Sequence, residues 1–292
     1  MKVLSKAQVI MQNAVQQCKD EVTIQCVLGH HPFIVKCKHH WQNKKKLFIV
    51  TEYIPHGELL KVWKTYGKFN EELVQFYVAE LALTIDFLHN AGVIYRDLKM
   101  ENILLDEEGH VQLIDFGLAK WLAYGERANT ICGTIQYMAP EILKMESYTK
   151  AVDWWSLGII MYALLTGQYP VESVHDHSKM QKLVETTSYT LPEDYSDGAR
   201  HVVRQLLCKL PQRRLQSLHA LKSQPFFRNV KFDEVLEKKV SLKELFEKSL
   251  KEQKILSAFS AHSNDSELAV LEEMGKQQLK ECYKKPVIHN TK

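Results

Sequence analysis

The sequence predicts an α+β fold, with strand-like runs early and helical segments after them, at a length that suits one two-lobed enzyme or two small domains. Short apolar runs of strand-like composition fall early, at 33–37 and 47–51. Segments with helical periodicity follow, the strongest at 70–91 and 151–166. Between those two lies an apolar hairpin pattern: Ile103, Leu104 and Leu105, then Val111, Leu113 and Ile114. The chain has 292 residues, 45% hydrophobic and 25% charged. That is enough for a large core and too apolar for global disorder.

Each element has a local reason. Residues 8–28 read as one helix, with Val9, Ile10, Met11, Val15, Ile24, Val27 and Leu28 spaced among polar residues. The runs 33–37 and 47–51 read as strands around a solvated, lysine-rich turn at 44–46. At 70–91, Asn70 suits an N-cap and Glu71 and Glu72 suit the first turn. Leu73, Phe76, Tyr77, Leu81, Leu83, Ile85 and Leu88 supply that helix with apolar faces. Residues 151–166 are apolar all round, including Trp154, Trp155, Leu157, Ile159 and Ile160, which predicts a helix inside the core. Helices continue to Pro225-Phe226-Phe227. A charged tail follows, helical near 234–256 and broken by polar residues at 262–265.

Composition narrows the function. The net charge is +3, from 38 basic and 35 acidic residues. That balance gives no argument for nucleic acid or an anionic membrane as partner, and no basic–aromatic patch appears. Six cysteines form no C-x-x-C pair and no zinc spacing, so they read as reduced, mostly buried thiols of an intracellular protein. No apolar leader follows Met1 and no run reaches transmembrane length. The expected location is cytoplasmic and the expected state a monomer.

The most informative stretch is 95–117, YRDLKMENILLDEEGHVQLIDFG. It holds two carboxylates and an amide at a spacing suited to phosphoryl transfer. Asp97 can orient a hydroxyl nucleophile. Asn102 and Asp115 can hold Mg2+ ions that clamp the phosphates of ATP, and Lys99 can offset phosphoryl charge. The string resembles the H-R-D-L-x-x-x-N catalytic loop and D-F-G motif of protein kinases, with Tyr95 in place of His.

Further segments extend the resemblance over residues 1–227: TICGTIQYMAPE at 130–141, AVDWWSLG at 151–158 and LCKLPQRRL at 207–215. The chain is similar to serine/threonine kinases of the AGC group, and within it to ribosomal protein S6 kinase-related (S6-kinase-like) proteins. QCKDEVTIQ at 17–25 and LKMEN at 98–102 carry the narrower likeness. The resemblance implies a bilobal protein-kinase fold. A partial N-lobe and hinge would occupy 1–54, the C-lobe 55–228, and a partly helical tail 229–292.

Site residues follow from the resemblance. Lys2 stands where the third-strand lysine binds the ATP phosphates, and Glu21 stands at the spacing of its helix partner. Thr51 is the gatekeeper of a hinge in which the carbonyl of Glu52 and the amide of Ile54 would bond adenine. Glu58 would contact ribose or a basic substrate. Glu58 and Glu101 match the acids that select arginine three residues before the phosphoacceptor, whereas Ala163 predicts little selection two residues before it. Thr130 lies in the activation segment as a phosphosite for an upstream activating kinase, with Arg96 and Lys120 as its basic partners. Thr134 would bond Asp97 and Lys99. Glu141 and Arg214 would form a buried ion pair, and Asp153 would hold the catalytic loop. Protein substrates are implied, with serine or threonine as acceptor because Lys99 follows Asp97.

The pattern also departs from the family. No G-x-G-x-x-G occurs, so the reading is of a chain truncated before its glycine-rich loop, binding ATP weakly in this form. Register puts Gln25 and Cys37 into the spine above Phe116 and Tyr95, where a glutamine without partners would cost about 1–3 kcal/mol. The tail carries only a degenerate docking motif at 256–260. A pseudokinase or scaffold is therefore the rival reading. The complete set of Lys2, Asp97, Asn102 and Asp115 opposes it. A small-molecule kinase is opposed by the segment CGTIQYMAPE, which builds a peptide platform.

Overall fold

The computed structural model describes residues 1–260, with side chains to residue 253. The amino-terminal part is a three-stranded antiparallel sheet of β1 (Lys2–Ser5), β2 (Cys37–Gln42) and β3 (Lys46–Thr51), in the order β1-β3-β2. Lys2 pairs with Ile49 across β1 and β3, and Trp41 pairs with Phe48 across β2 and β3. The Trp41 and Phe48 rings stack with centroids 4.9 Å apart, a cross-strand pair that helps fix the register. The lysine-rich turn is solvated, as its composition predicts. Asn43 Oδ1 organises it by accepting from the amides of Lys45 and Lys46, both at 2.8 Å.

Two readings of this part need correction. The single helix expected over 8–28 is two helices, α1 (Lys6–Met11) and α2 (Val15–Leu28). Asn13 breaks them at φ 52, a left-handed conformation that asparagine tolerates. The apolar run at 33–37 is not a strand either. Phe33, Ile34 and Val35 are buried in irregular chain, and β2 begins only at Cys37. Leu113 N donates to Phe33 O at 2.8 Å, and Val35 N donates to Leu113 O at 3.0 Å. The run is apolar because it forms the seam between the sheet and the helical part.

The larger part opens with α3 (Leu59–Tyr66) and α4 (Glu71–Asn90). Asn70 caps α4 by accepting from Leu73 N at 3.0 Å. Then come β4 (Val93–Ile94), the hairpin β5 (Ile103–Leu105) and β6 (Val111–Leu113), β7 (Lys120–Trp121) and the short α5 (Pro140–Leu143). The hairpin pairs Ile103 with Leu113, and β4 pairs with β7. Helix α6 (Ala151–Thr166) is buried on nearly every side, as its uniform apolarity predicts. It packs against α4 and against α8 (Asp197–Leu206). Helices α7 (His177–Thr186) and α9 (Leu218–Lys222) also belong to this body.

The helical stretch expected near 234–256 is likewise two helices, α10 (Phe232–Leu236) and α11 (Leu242–Ser260). Lys238, at φ 55, turns the chain between them and pairs with Asp106 at 2.8 Å. Phe246 meets Tyr66 and Phe69 edge to face, with centroids 5.3 and 5.6 Å apart. Asn70 N donates to Ser249 Oγ at 2.9 Å. The docking motif read at 256–260 falls where side chains are not described, and the polar break at 262–265 lies outside the described residues. The cysteine reading also changes. The five described cysteines are free, Cys26 is exposed and the other four are half-buried; Cys18 and Cys26 lie on α2, Cys37 opens β2, and Cys132 and Cys208 lie in irregular chain. No described helix is long and apolar enough to cross a membrane.

Candidate active site

The loop at 95–102 hangs from α6. Both oxygens of the buried Asp153 are used. Its Oδ2 accepts from Tyr95 N at 2.9 Å and lies 2.7 Å from His89 Nε2. Its Oδ1 accepts from Arg96 N at 2.8 Å. Arg96 has φ 68, a strained conformation for a long side chain, and these bonds hold it there. The next residue, Asp97, is thereby aimed into the cleft. Asn102 Nδ2 donates to Asp97 Oδ2 at 2.9 Å and to the Asp97 carbonyl at 3.0 Å. Lys99 Nζ lies 2.8 Å from Asp97 Oδ2 and donates to Thr134 Oγ1 at 2.9 Å. Thr134 Oγ1 in turn donates to Asp97 Oδ1 at 3.1 Å. Asp97, Lys99, Asn102 and Thr134 therefore form one closed network.

The opposite wall comes from the sheet, α2 and the turn after β6. Lys2 Nζ pairs with Glu21 Oε1 at 2.5 Å and with Asp115 Oδ1 at 3.2 Å. Asp115 has φ 58, and its Oδ1 accepts from Gly117 N at 3.1 Å. Gln17, one turn before Glu21 on α2, donates to Gly117 O. Beneath them the Phe116 ring meets Tyr95 edge to face at 5.4 Å. Burial works against the charged Lys2 ammonium. The bond to Glu21 and the charges of Glu21 and Asp115 outweigh it, so the Lys2 pKa is held above its ordinary value. The cleft between the walls has a volume of about 390 Å³ and is lined by Lys2, Glu21, Asp97, Asp115, Gly117 and Leu118. That falls within the range of small-molecule sites, roughly 300–1,000 Å³.

The donor set suits a phosphate ligand with Mg2+. Asp115 keeps 47% of its side chain exposed beside the Lys2 ammonium, so a carboxylate and a cation share one open edge of the cleft. The amide of Asn102 lies deeper, within the Asp97 network.

Other residues singled out in the sequence stand apart from this cluster. Thr51 ends β3, and Glu52 and Ile54 line a different cavity with Asp106 and Lys238. Glu52 pairs with Lys38 at 3.3 Å. Glu58 precedes α3 and lies 3.4 Å from Lys61. Glu101 accepts from Tyr137 Oη at 3.3 Å. The buried Gln25 is not orphaned, because its Nε2 donates to Val35 O at 3.3 Å. The seam between the two parts satisfies it, which sequence register alone does not reveal.

Thr130 is exposed in the segment between Gly117 and Ala139. Its carbonyl accepts from Tyr148 Oη at 2.7 Å, and Arg96 Nη1 donates to the same Tyr148 oxygen at 3.4 Å. Arg96 Nε donates to Leu118 O at 2.7 Å. Arg96 is thus one side chain removed from Thr130. Lys120 instead faces Glu126, at 4.0 Å. Farther down, Arg214 grips Glu141 with two parallel bonds of 2.7 and 2.9 Å, both residues being buried. Tyr148, His89 and Gln17 were not picked out in the sequence. Each acts through contacts with residues distant in the chain, and nothing in local spacing announces that.

The protein kinase domain model matches residues 1–227. The chain is 43% identical over 239 residues to the human ribosomal protein S6 kinase-related protein, covering 82% of this chain and 58% of that one. It is 38% identical over 242 residues to a RAC family serine/threonine-protein kinase homolog of Dictyostelium discoideum, covering 82% and 54%. It is 38% identical over 245 residues to human ribosomal protein S6 kinase alpha-2, covering 82% and 33%. The chain therefore spans between about a third and three fifths of the length of these relatives.

Proposed function

The chain belongs to the protein kinase domain family, and on that premise we propose that it transfers the γ-phosphoryl group of ATP to serine or threonine hydroxyls of proteins. The observation that carries the reading is a convergence. Lys2 from the sheet, Glu21 from α2, Asp97 from the loop after β4 and Asp115 after β6 line one cleft, and Lys99 and Asn102 bond to Asp97 behind it. Lys2, Glu21, Asp97 and Asp115 are too far apart in sequence to meet by local structure.

Bound Mg·ATP supplies the phosphoryl group and the metal charge that offsets it. The chain's own residues do the positioning. Asp97 orients the acceptor hydroxyl and takes up its proton, and Asn102 and Thr134 hold the carboxylate in place. Lys99 keeps a positive charge beside it. Asp115 and Asn102 are the metal ligands. Glu21 fixes the Lys2 ammonium for the phosphates. Adenine is held at the hinge by the Glu52 carbonyl and the Ile54 amide, beside Thr51. The test is Mg2+-dependent transfer of labelled phosphate to serine and threonine peptides, with Asp115→Ala as control. Transfer that Asp115→Ala leaves intact overturns the assignment. Mg·ATP binding without any transfer favours the scaffold reading instead.

Finer proposals rest on this one. Substrates carry arginine three residues before the acceptor, read by Glu58 and Glu101. A peptide-library scan without a basic preference at that position counts against it. Thr130 is the site of an activating kinase, with Arg96 and Lys120 as phosphate partners. The protein works as a cytoplasmic monomer, with a lobe boundary near residue 54 and a tail from 229.

A further inference from the structure

Cys26, Cys37 and His40 come together in the amino-terminal part, and none of them is among the residues that line the cleft. Cys26 is on α2, and Cys37 and His40 are on β2. Their sulfur and nitrogen atoms all lie within 4.8 Å of one another. Cys26 Sγ is 3.4 Å from His40 Nδ1.

The local backbone explains why these three meet. In a regular strand, residues three apart point to opposite faces. The pairing of β2 with β3 slips between Cys37 and His39: Cys37 pairs with Thr51, but His39 pairs with Val50, so Lys38 is an extra residue. That bulge resets the alternation and turns Cys37 and His40 to the same side. The shared side faces α2, where Cys26 stands. Among the described residues no other group of three such side chains is drawn this close.

We propose that Cys26, Cys37 and His40 form a binding site for a thiophilic divalent cation, Zn2+, that ties α2 to β2. Two thiolates and an imidazole are donors that Zn2+ accepts in tetrahedral geometry. Bond lengths of about 2.3 Å to sulfur and about 2.0–2.1 Å to nitrogen put sulfur and nitrogen roughly 3.5 Å apart across a tetrahedral edge. The Cys26–His40 separation of 3.4 Å already meets that value. Cys26 and His40 are exposed and Cys37 is half-buried, so the ion has an entry path and solvent can fill the fourth position. Binding converts each thiol to a thiolate, and both protons pass to the buffer. The strap would fall one turn beyond Glu21 on α2, and so would steady the helix that holds Lys2.

The experiment uses the full chain, reduced and stripped of metal. Zn2+ is titrated against a chromophoric chelator, and Co2+ is added separately as a spectroscopic probe. The expected result is one tight Zn2+ per chain, sulfur-to-cobalt charge transfer, a tetrahedral visible spectrum, and a melting temperature raised by Zn2+. Cys26→Ser, Cys37→Ser and His40→Ala should each lose the tight site and the thermal shift. Cys208→Ser, in the helical part, should keep both. Circular dichroism checks that each variant is folded. Because these side chains lie outside the cleft, the result does not depend on the kinase reading. No tight Zn2+, or uptake that survives both cysteine substitutions, overturns the proposal. So does a Cys26–Cys37 disulfide that forms readily in a chain whose reduced state takes up no metal.

Discussion

Asp115 sits at φ 58 with its carboxylate bonded to Gly117 N and Lys2. It is half-exposed and supports no core packing, so its loss should spare the fold. Asp115→Ala is expected to abolish Mg2+-dependent phosphoryl transfer with little change in unfolding midpoint. Asp97→Asn should lower turnover by about 10²–10⁴-fold, the usual contribution of a positioned proton acceptor. Steady-state kinetics beside a denaturant melt checks both, and near-native turnover in either variant would remove the assigned role. Lys2 gives a pH signature. Its pKa in the folded chain is raised above the ordinary 10.5. The stability it contributes is therefore complete below that value and lost as pH rises through the higher, folded pKa. The stability gap between the wild type and Lys2→Met should be constant at neutral pH and shrink above about pH 10.5. Urea unfolding at a series of alkaline pH values reads this, and a gap that stays constant contradicts it.

Among elements, α6 governs the geometry of the loop at 95–102. It carries Asp153, which aligns Tyr95 and Arg96, and its first residue contributes the carbonyl of Ala151 to Arg214. Arg214 is buried and bidentate on Glu141. Arg214→Ala leaves a buried carboxylate without its partner, which should cost about 3–5 kcal/mol in denaturant unfolding. A loss below about 1 kcal/mol would mean that water reaches Glu141. The segment around Thr130 behaves differently. It is exposed and touches the 95–102 loop through Tyr148 and Arg96. A phosphate on Thr130 adds about −1.5 to −2 charges one side chain away from that arginine and should order the segment. Thr130→Ala is expected to lower activity in cells that phosphorylate the site, and Arg96→Ala to mimic it. Full activity of Thr130→Ala under those conditions would exclude the switch.

Over the whole molecule, the carboxyl-terminal helices belong to the core of the larger part. Val230, Phe232, Val235, Leu242, Phe246 and Leu250 join the same buried cluster as α4 and α6. Asn70, the cap of α4, is itself held by Ser249 and Glu252 of α11. Phe246→Ala should therefore destabilise the large part as a unit, by about 3–5 kcal/mol. Hydrogen exchange should show the loss of protection spreading into α4. A change confined to α11 would indicate that the helix docks without contributing to the common core.

Much of this was legible in the chain. The bounds of α6 follow from all-round apolarity, and the start of α4 from Asn70 and two glutamates, because caps and burial patterns are local properties. The identities of Asp97, Lys99, Asn102 and Asp115 follow from a motif whose spacing is fixed by one short hairpin. Other features depended on contacts between distant segments. The run 33–35 is as apolar as a strand, yet its bonds go to Leu113, and only the seam decides that. Gln25 looked orphaned until Val35 O was brought to it. The break at Asn13 and the turn at Lys238 are single backbone choices that periodicity averages over. The cysteines had no metal spacing in sequence, because a bulge at Lys38 and a neighbouring helix create the cluster. Composition and local pattern set which elements form. Which distant groups end within bonding distance is a property of packing, where one extra residue in a strand redirects every side chain after it.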